Sequence, residues 1–124
     1  MKVLIVDDSE ILRDRLIAML SEIIEPENVS QAKDVPEAIN SFQKLHPDVV
    51  ILDIRMPRGS GIDVLKEIKK SSRPPVVIVF TNYPYPQYRR KCIAAGADFF
   101  FDKSNEFDKA TEVLKQLSRN QSRQ

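Results

Sequence analysis

Residues 3–8 read VLIVDD, and residues 49–53 repeat the same pattern as VVILD. Each segment has four consecutive apolar residues, most of them β-branched, and then aspartate. Continuous apolar runs of this length, without alternation between apolar and polar positions, are typical of strands buried on both faces of a parallel sheet. The two segments therefore predict two central strands, each followed by acidic side chains.

Three further segments complete a predicted set of five strands. VVIVF at residues 76–80 is again continuous and apolar, and ADFFF at residues 97–101 is rich in aromatic residues. NVSQA at residues 28–32 is more polar, which favours a position at the edge of the sheet.

Helical patterns fill the intervals after these five strands. Ser9, Asp34 and Ser60 are suited to cap three of the helices, and Gly96 is suited to end the fourth. The apolar stripe of the first helix is expected to start at Ile11. This alternation predicts an α/β fold: a flavodoxin-like, doubly wound, five-stranded parallel sheet of order 2-1-3-4-5 with five helices.

The composition limits the classes of protein to which the chain can belong. Its 124 residues fit one domain, and 42% hydrophobic residues are too many for a disordered chain. With 19 basic and 18 acidic residues, the net charge of +1 provides no global field for nucleic acid or membranes. The single cysteine, Cys92, fits a reducing compartment. We expect a cytoplasmic protein with no direct nucleic-acid binding and no membrane insertion.

Polar residues follow the predicted strands at the points where they end. Asp7 and Asp8 follow the first, Asp53 the third, Thr81 the fourth and Lys103 the fifth. Because the carboxyl ends of parallel strands meet at one edge of a sheet, these side chains should converge there. Three crowded carboxylates repel one another unless a cation lies among them, and oxygen ligands at an open site suit Mg²⁺.

The expected chemistry of this site is phosphoryl transfer to a carboxylate. Lys103 can bind phosphate oxygens, and the Thr81 hydroxyl can donate a hydrogen bond. The sequence has no GxxxxGK[ST] loop to hold a nucleotide and no Ser/His/Asp arrangement. The phosphoryl group must therefore come from another molecule, and a carboxylate can act as its nucleophile with metal assistance.

Taken in order, these motifs resemble the receiver domain of two-component response regulators, of the stand-alone, chemotaxis-receiver-like type. The resemblance covers roughly residues 2–118 and rests on Asp7-Asp8, Asp53-Ile54-Arg55-Met56-Pro57 with Gly61, Thr81, and Gly96-Ala97-Asp98 leading to Phe100 and Lys103. It implies a receiver domain at residues 1–118 and a polar C-terminal tail at residues 119–124. The residues after Leu117 are too few to form an output domain, so we expect either a stand-alone regulator or a receiver cut from a longer protein.

The resemblance also implies a phosphorylation site that depends on Mg²⁺. Asp53 would accept a phosphoryl group from a histidine kinase or a histidine phosphotransfer protein. Asp8 and Asp53 would bind Mg²⁺ directly, Asp7 would act mainly through a bound water, and the Arg55 backbone carbonyl would complete the protein ligands.

A second group of residues would transmit the phosphorylation signal. Thr81 would move toward the phosphate, Lys103 would bridge to it, and Phe100 would be the aromatic switch. Tyr83 resembles a position that tunes hydrolysis of the phosphoryl group, and Ser104 stands where many family members carry proline. A downstream protein target would read the surface of the fourth helix, fifth strand and fifth helix.

Two other functional classes remain open from the residues alone. One is a pseudo-receiver, a binding module that is never phosphorylated. The other is a Mg²⁺-dependent phosphohydrolase with an aspartyl nucleophile. The receiver interpretation predicts no enzymatic activity beyond the chain's own phosphotransfer and autodephosphorylation, and either a monomer or a weak phosphorylation-dependent homodimer.

Overall fold

Five parallel strands form one sheet in a computed structural model that describes residues 1–122. The strands are β1 (Val3–Val6), β2 (Val29–Ala32), β3 (Val49–Leu52), β4 (Val76–Thr81) and β5 (Phe99–Asp102). Their order is β2-β1-β3-β4-β5, and every neighbouring pair is parallel. The predicted flavodoxin-like sheet of order 2-1-3-4-5 is confirmed.

Five α-helices connect and follow the strands. They are α1 (Glu10–Leu20), α2 (Val35–Leu45), α3 (Gly61–Ile68), α4 (Pro86–Ala94) and α5 (Phe107–Ser122), with a short 3₁₀ turn at Pro26–Asn28. Helix α5 includes residues 119–122 of the predicted tail, and residues 123 and 124 lie outside the described part of the chain. No described helix has the length and apolar character needed to cross a membrane.

The predicted helix boundaries have clear local causes. The side chains of Ser9, Asp34 and Ser60 each accept a backbone N–H from the first turn of their helix. At α3 the Asp63 carboxylate accepts the Ser60 N–H in return, which completes a capping box. Gly96 lies just beyond α4 with φ +106°, a conformation that favours glycine.

Both faces of the sheet are covered, as the continuous apolar strands predict. All residues of β1 and β3 are at most 2% exposed. Full burial of each such valine, leucine or isoleucine contributes about 1.5–3 kcal/mol. One apolar layer lies between the sheet and α2, α3 and α4, and a second lies between the sheet and α1 and α5. This packing holds the carboxyl edge of the sheet in a fixed position.

The predicted position of Ile11 in the apolar stripe of α1 is wrong, because Ile11 is 83% exposed. Leu16 and Leu20 are fully buried, and Leu12 packs against the same cluster. These three residues follow one another at intervals of four. Ile11 lies one residue before them and is therefore rotated by about 100° out of the stripe.

A short β-hairpin, whose two strands have two residues each, follows β3 and is a further feature that the sequence patterns did not predict. Arg55–Met56 pairs with Gly59–Ser60 in antiparallel register. Arg58 and Gly59 both have positive φ, at +65° and +131°. The hairpin reverses the chain direction after Asp53, so that α3 begins next to the backbone of Asp53 and Ile54.

Cys92 packs in the apolar layer under α4 and is 1% exposed. Burial raises the pKa of its thiol to about 11, so little reactive thiolate forms near pH 8. We expect a disulfide reagent to label Cys92 at least about 100-fold more slowly in native buffer than in urea. Equal labelling rates in the two conditions would show that α4 does not protect the thiol.

Candidate functional site

The register of β1 and β3 brings two aspartates together. Val6 pairs with Leu52, so Asp7 and Asp53 leave the sheet side by side, and the Asp53 N–H donates to the Val6 carbonyl over 3.0 Å. This is the point where the strand order reverses, the usual ligand-binding position in such sheets. Carboxylate oxygens of Asp7, Asp8 and Asp53 lie within 4.8 Å of one another.

The environment of these carboxylates differs. Asp7 and Asp53 are buried, at 3% and 5% exposure, whereas Asp8 is exposed. Burial raises the pKa of Asp7, and it outweighs the hydrogen bonds that Asp7 accepts from Lys103 and from the Ser9 N–H at 2.9 Å. Holding Asp7 ionised in this cluster therefore has a free-energy cost that a nearby cation can offset.

Within the part of the chain that the structure describes, the ammonium group of Lys103 is that cation. Its Nζ lies 2.6 Å from Asp7 Oδ2 and 2.9 Å from Asp53 Oδ2, and the lysine side chain is only 8% exposed. Burial by itself lowers the pKa of Lys103, but the hydrogen bond to Asp7 and the charge of Asp53 outweigh it, and the pKa is raised. The ammonium group therefore stays charged and bridges the two buried carboxylates.

The carboxylates and Lys103 open into a surface cleft of about 370 Å³. It is lined by Asp7, Asp8, Ser9, Asp53, Arg55, Met56, Pro57, Asn82, Tyr83 and Lys103. All three predicted carboxylates, together with Arg55, Tyr83 and Lys103, are thus brought to one place.

The side chain of Arg55 has a role in the cleft wall that the sequence did not suggest. Its guanidinium carbon lies 4.0 Å from the centre of the Tyr83 ring, a cation–π arrangement, and Nη2 donates to the Tyr88 hydroxyl at 3.3 Å. The sequence pattern predicts a role only for the backbone carbonyl of Arg55. Arg13 is a second unpredicted residue: its Nη1 donates to the Asp7 carbonyl at 2.7 Å.

Thr81 and Phe100 are buried and do not line the cleft. Thr81 is the last residue of β4, and its hydroxyl accepts the Tyr83 N–H at 3.0 Å. Phe100 is 3% exposed, and the Arg89 guanidinium carbon lies 5.3 Å from its ring centre. Each residue therefore contacts a neighbour that reaches the surface.

The loop after Lys103 is held by Asp102, the last residue of β5. The Asp102 carboxylate accepts the Ser104 N–H at 2.9 Å and the Asn105 side-chain amide at 3.2 Å. The Asp102 N–H in turn donates to Glu106 at 3.0 Å. These local hydrogen bonds form the turn at Ser104 and fix the start of the lysine side chain.

The donor set of the cleft fits a hard divalent cation. Asp7, Asp8 and Asp53 offer only oxygen ligands, and the Arg55 segment lies beside them on the cleft wall. Magnesium is held in proteins by one or two carboxylates and keeps several waters, which an open cleft permits. The exposed Asp8 gives such an ion an entry point from solvent.

Comparison with known proteins agrees with this geometry. The family model described as the response regulator receiver domain matches residues 3–115. The chain belongs to the response regulator receiver domain family. This receiver is 34% identical over 117 residues to the chemotaxis protein CheY of Halobacterium salinarum, a match that covers 91% of this chain and 96% of that protein.

Other relatives carry the receiver as part of a longer chain. The transcriptional regulatory protein YvfU of Bacillus subtilis is 31% identical over 114 residues, which cover 92% of this receiver but 57% of that protein. The receiver spans about half the length of the sensory transduction protein LytT from the same organism.

Solved structures of receivers superimpose closely. The response regulator protein TrrA of Thermotoga maritima, in complex with Mg(2+)-BeF, is 36% identical with a TM-score of 0.77, covering 94% of this chain and 99% of that one. A receiver domain from Colwellia psychrerythraea is 25% identical with a TM-score of 0.87, covering 96% and 98%.

Proposed function

We propose that this receiver takes a phosphoryl group onto Asp53 from a phosphohistidine of a histidine kinase or a histidine phosphotransfer protein. The observation that carries the proposal is the buried Asp53 carboxylate, which clusters with Asp7 and Asp8 and lies 2.9 Å from the Lys103 ammonium. A carboxylate held between an acidic metal site and a fixed cation is suited to receive an anionic group.

In the transfer, a carboxylate oxygen of Asp53 attacks phosphorus while the bond from phosphorus to the imidazole nitrogen breaks. The electron pair of that bond stays with the imidazole, and an acyl phosphate forms on Asp53. Lys103 orients the carboxylate and neutralises negative charge as the phosphoryl group arrives. Mg²⁺, held by Asp8, Asp53, the Arg55 carbonyl and Asp7 through water, would supply further charge neutralisation when bound.

The response to phosphorylation would pass through Thr81 and Phe100. A phosphoryl group adds about 1.5–2 negative charges and new acceptor oxygens. These would attract the Thr81 hydroxyl, which accepts the Tyr83 N–H in the structure. Phe100 contacts Arg89 on α4, so a rotation of Phe100 into the space that Thr81 leaves would reach the surface formed by α4, β5 and α5. A cytoplasmic downstream protein, or a second copy in a weak dimer, would bind there.

One titration, together with an assay of phosphoester turnover, distinguishes the three candidate functions. The chain and its Asp53→Asn variant are titrated with beryllofluoride and Mg²⁺ and followed by backbone amide NMR. Saturable shifts around Asp53, Thr81 and Lys103 that disappear in the variant support the receiver function. Steady turnover of small phosphoesters would support the phosphohydrolase, and no response in either protein would support the pseudo-receiver.

Tyr83 is expected to lengthen the life of the phosphorylated state. Its ring is held by Arg55 at the wall of the cleft that contains Asp53, where it would limit the approach of water to the phosphoryl group. Tyr83→Ala should shorten the lifetime about tenfold, which corresponds to 1.4 kcal/mol in the barrier. Tyr83→Phe is the control, because it keeps the ring beneath the Arg55 guanidinium. An alanine variant with the lifetime of the unsubstituted protein would contradict the shielding role.

A further inference from the structure

The near-neutral total charge conceals a strong separation of charge along the chain. Residues 55–96 contain nine basic and two acidic residues, a net charge of +7. The other 82 residues contain ten basic and sixteen acidic residues, a net charge of −6. Such a separation can orient a charged partner where the fold keeps the two sets of charges apart.

The fold places these basic residues on a few elements. Residues 55–96 comprise the hairpin, α3, β4 and α4. Strand β4 is uncharged and largely buried, so the basic residues lie on the hairpin and on the two helices and their flanking turns. Helices α3 and α4 are neighbours and enclose a groove of about 490 Å³. We call this the basic groove; its main lining residues are Ile62, Asp63, Lys66, Lys91, Ala94 and Ala95.

The two lysines of the basic groove are available to a partner. Lys66 and Lys91 are exposed and form no ion pair with the side chains of residues 1–120. The only acidic residue in the lining, Asp63, already accepts the Ser60 N–H in the cap of α3. Lys69 differs, because its Nζ donates to Asp98 at 2.9 Å and to the Pro75 carbonyl at 2.8 Å.

Helix α4 therefore has two basic sides with different contacts. Arg89 points toward β5, where it donates to the Phe100 carbonyl at 3.4 Å. Lys91 lies on the other side and lines the basic groove. The groove is thus separate from the surface of α4, β5 and α5 proposed above, and it does not include the cleft around Asp53.

We propose that the basic groove binds an acidic amphipathic segment of a partner protein. The apolar floor of Ile62, Ala94 and Ala95 would take apolar side chains at helical spacing, and carboxylates beside them would pair with Lys66 and Lys91. The lining contains no aromatic ring, and single-stranded nucleic acid is usually bound by stacking on such rings. A protein segment fits the mixture of apolar floor and basic rim better.

A titration with a synthetic helical peptide tests the groove. The peptide carries leucine at positions i, i+3, i+4 and i+7 and glutamate elsewhere, and a matched peptide has glutamine in place of glutamate. Backbone amide shifts are expected at Ile62, Lys66, Lys91 and Ala95 with the acidic peptide. The glutamine peptide and the double variant Lys66→Glu/Lys91→Glu should each bind about tenfold or more weakly, that is 1.4 kcal/mol or more.

Two controls separate this binding from phosphorylation and from general charge effects. Lys115→Glu reverses an exposed lysine on α5 and should leave the affinity within about twofold, because it lies outside the groove. Asp53→Asn should bind the peptide as well as the unsubstituted chain. Loss of affinity only in Asp53→Asn would overturn the separation of the groove from the phosphorylation site.

Four other outcomes would overturn the proposal. The first is equal affinity of the groove variant and the unsubstituted chain for the acidic peptide, and the second is a set of amide shifts centred on Arg89 and Phe100. The third is tighter binding of a single-stranded oligonucleotide, or of anionic phosphatidylserine vesicles, through the same lysines. The fourth is self-association that Lys66→Glu/Lys91→Glu abolishes. The last would assign the groove to a second copy of this chain, whose other 82 residues carry the net charge of −6.

Discussion

Replacing Lys103 with alanine should destabilise the protein by about 3 kcal/mol at neutral pH in the absence of divalent metal. The ammonium group lies within 3 Å of oxygens of both Asp7 and Asp53, and all three side chains are at most 8% exposed. Removing one partner of a buried ion pair leaves an uncompensated buried charge, which typically costs about 3–5 kcal/mol. Urea unfolding of Lys103→Ala and the unsubstituted chain in the presence of a chelator measures the difference.

The loss of stability in Lys103→Ala should depend on pH in a defined direction. Burial already raises the pKa of Asp7 in the folded protein, so ionising Asp7 disfavours folding as the pH rises through that pKa. Without Lys103 this effect is no longer offset. The stability difference between the two proteins should therefore be smallest at acidic pH, where Asp7 is protonated, and reach its full size at neutral pH.

Mg²⁺ and a matched lysine variant provide the controls. Mg²⁺ should recover part of the lost stability in Lys103→Ala, because it binds the folded state and replaces the missing positive charge. Lys109→Ala removes a lysine that pairs with Glu106 at the surface and should cost less than about 1 kcal/mol. A Lys103→Ala variant no less stable than Lys109→Ala would show that the buried ion pair contributes nothing measurable.

Replacing Gly61 with alanine should damage both stability and the phosphorylation site. A β-carbon at Gly61 would collide with the Asp53 carbonyl oxygen, which is backbone and cannot rotate away. The Gly61 N–H also donates to the Ile54 carbonyl at 2.6 Å, and this hydrogen bond keeps Gly61 close to the Asp53 backbone. Relief requires movement of the Asp53 backbone, and such overpacking costs about 3 kcal/mol or more.

Gly96→Ala is the matched control for this prediction. Its β-carbon would meet the flexible Lys69 side chain at 3.1 Å, and the main penalty is the positive φ of +106°. A non-glycine residue in such a conformation costs about 1–2 kcal/mol. Urea unfolding should give a lower free energy of unfolding for Gly61→Ala than for Gly96→Ala. Only Gly61→Ala should weaken the response to beryllofluoride. Equal beryllofluoride responses in both variants would contradict the role of Gly61 in placing Asp53.

The strands and the convergence of the acidic residues could be predicted from sequence because each rests on a local pattern. The apolar runs at residues 3–6 and 49–52 identify buried strands, and parallel pairing then requires Asp7 and Asp53 to be adjacent. A list of apolar residues in a helix does not by itself show which of them face the sheet, and it does not show contacts between distant elements. The apolar pattern therefore predicts Ile11 in the stripe of α1, although Ile11 lies about 100° away from Leu12 and is exposed.

The contacts that sequence could not predict are those made by side chains from distant elements. Nothing in the local sequence links Arg55 to Tyr88, 33 residues away, or predicts that the Arg55 guanidinium lies over Tyr83. The basic groove is another example, because it depends on α3 and α4 being neighbours. The net charge of +1 gave no indication of it, since residues 55–96 and the remainder nearly cancel.

The central claim is that Asp53 accepts a phosphoryl group in a metal-dependent reaction. The most direct measurement is the intact mass of the protein after incubation with acetyl phosphate and Mg²⁺, followed by peptide mapping, for the unsubstituted chain and for Asp53→Asn. We predict a mass increase of one phosphoryl group that maps to Asp53, requires Mg²⁺ and is absent in Asp53→Asn. An unchanged mass in the unsubstituted chain, or an equal increase in Asp53→Asn, would contradict the account.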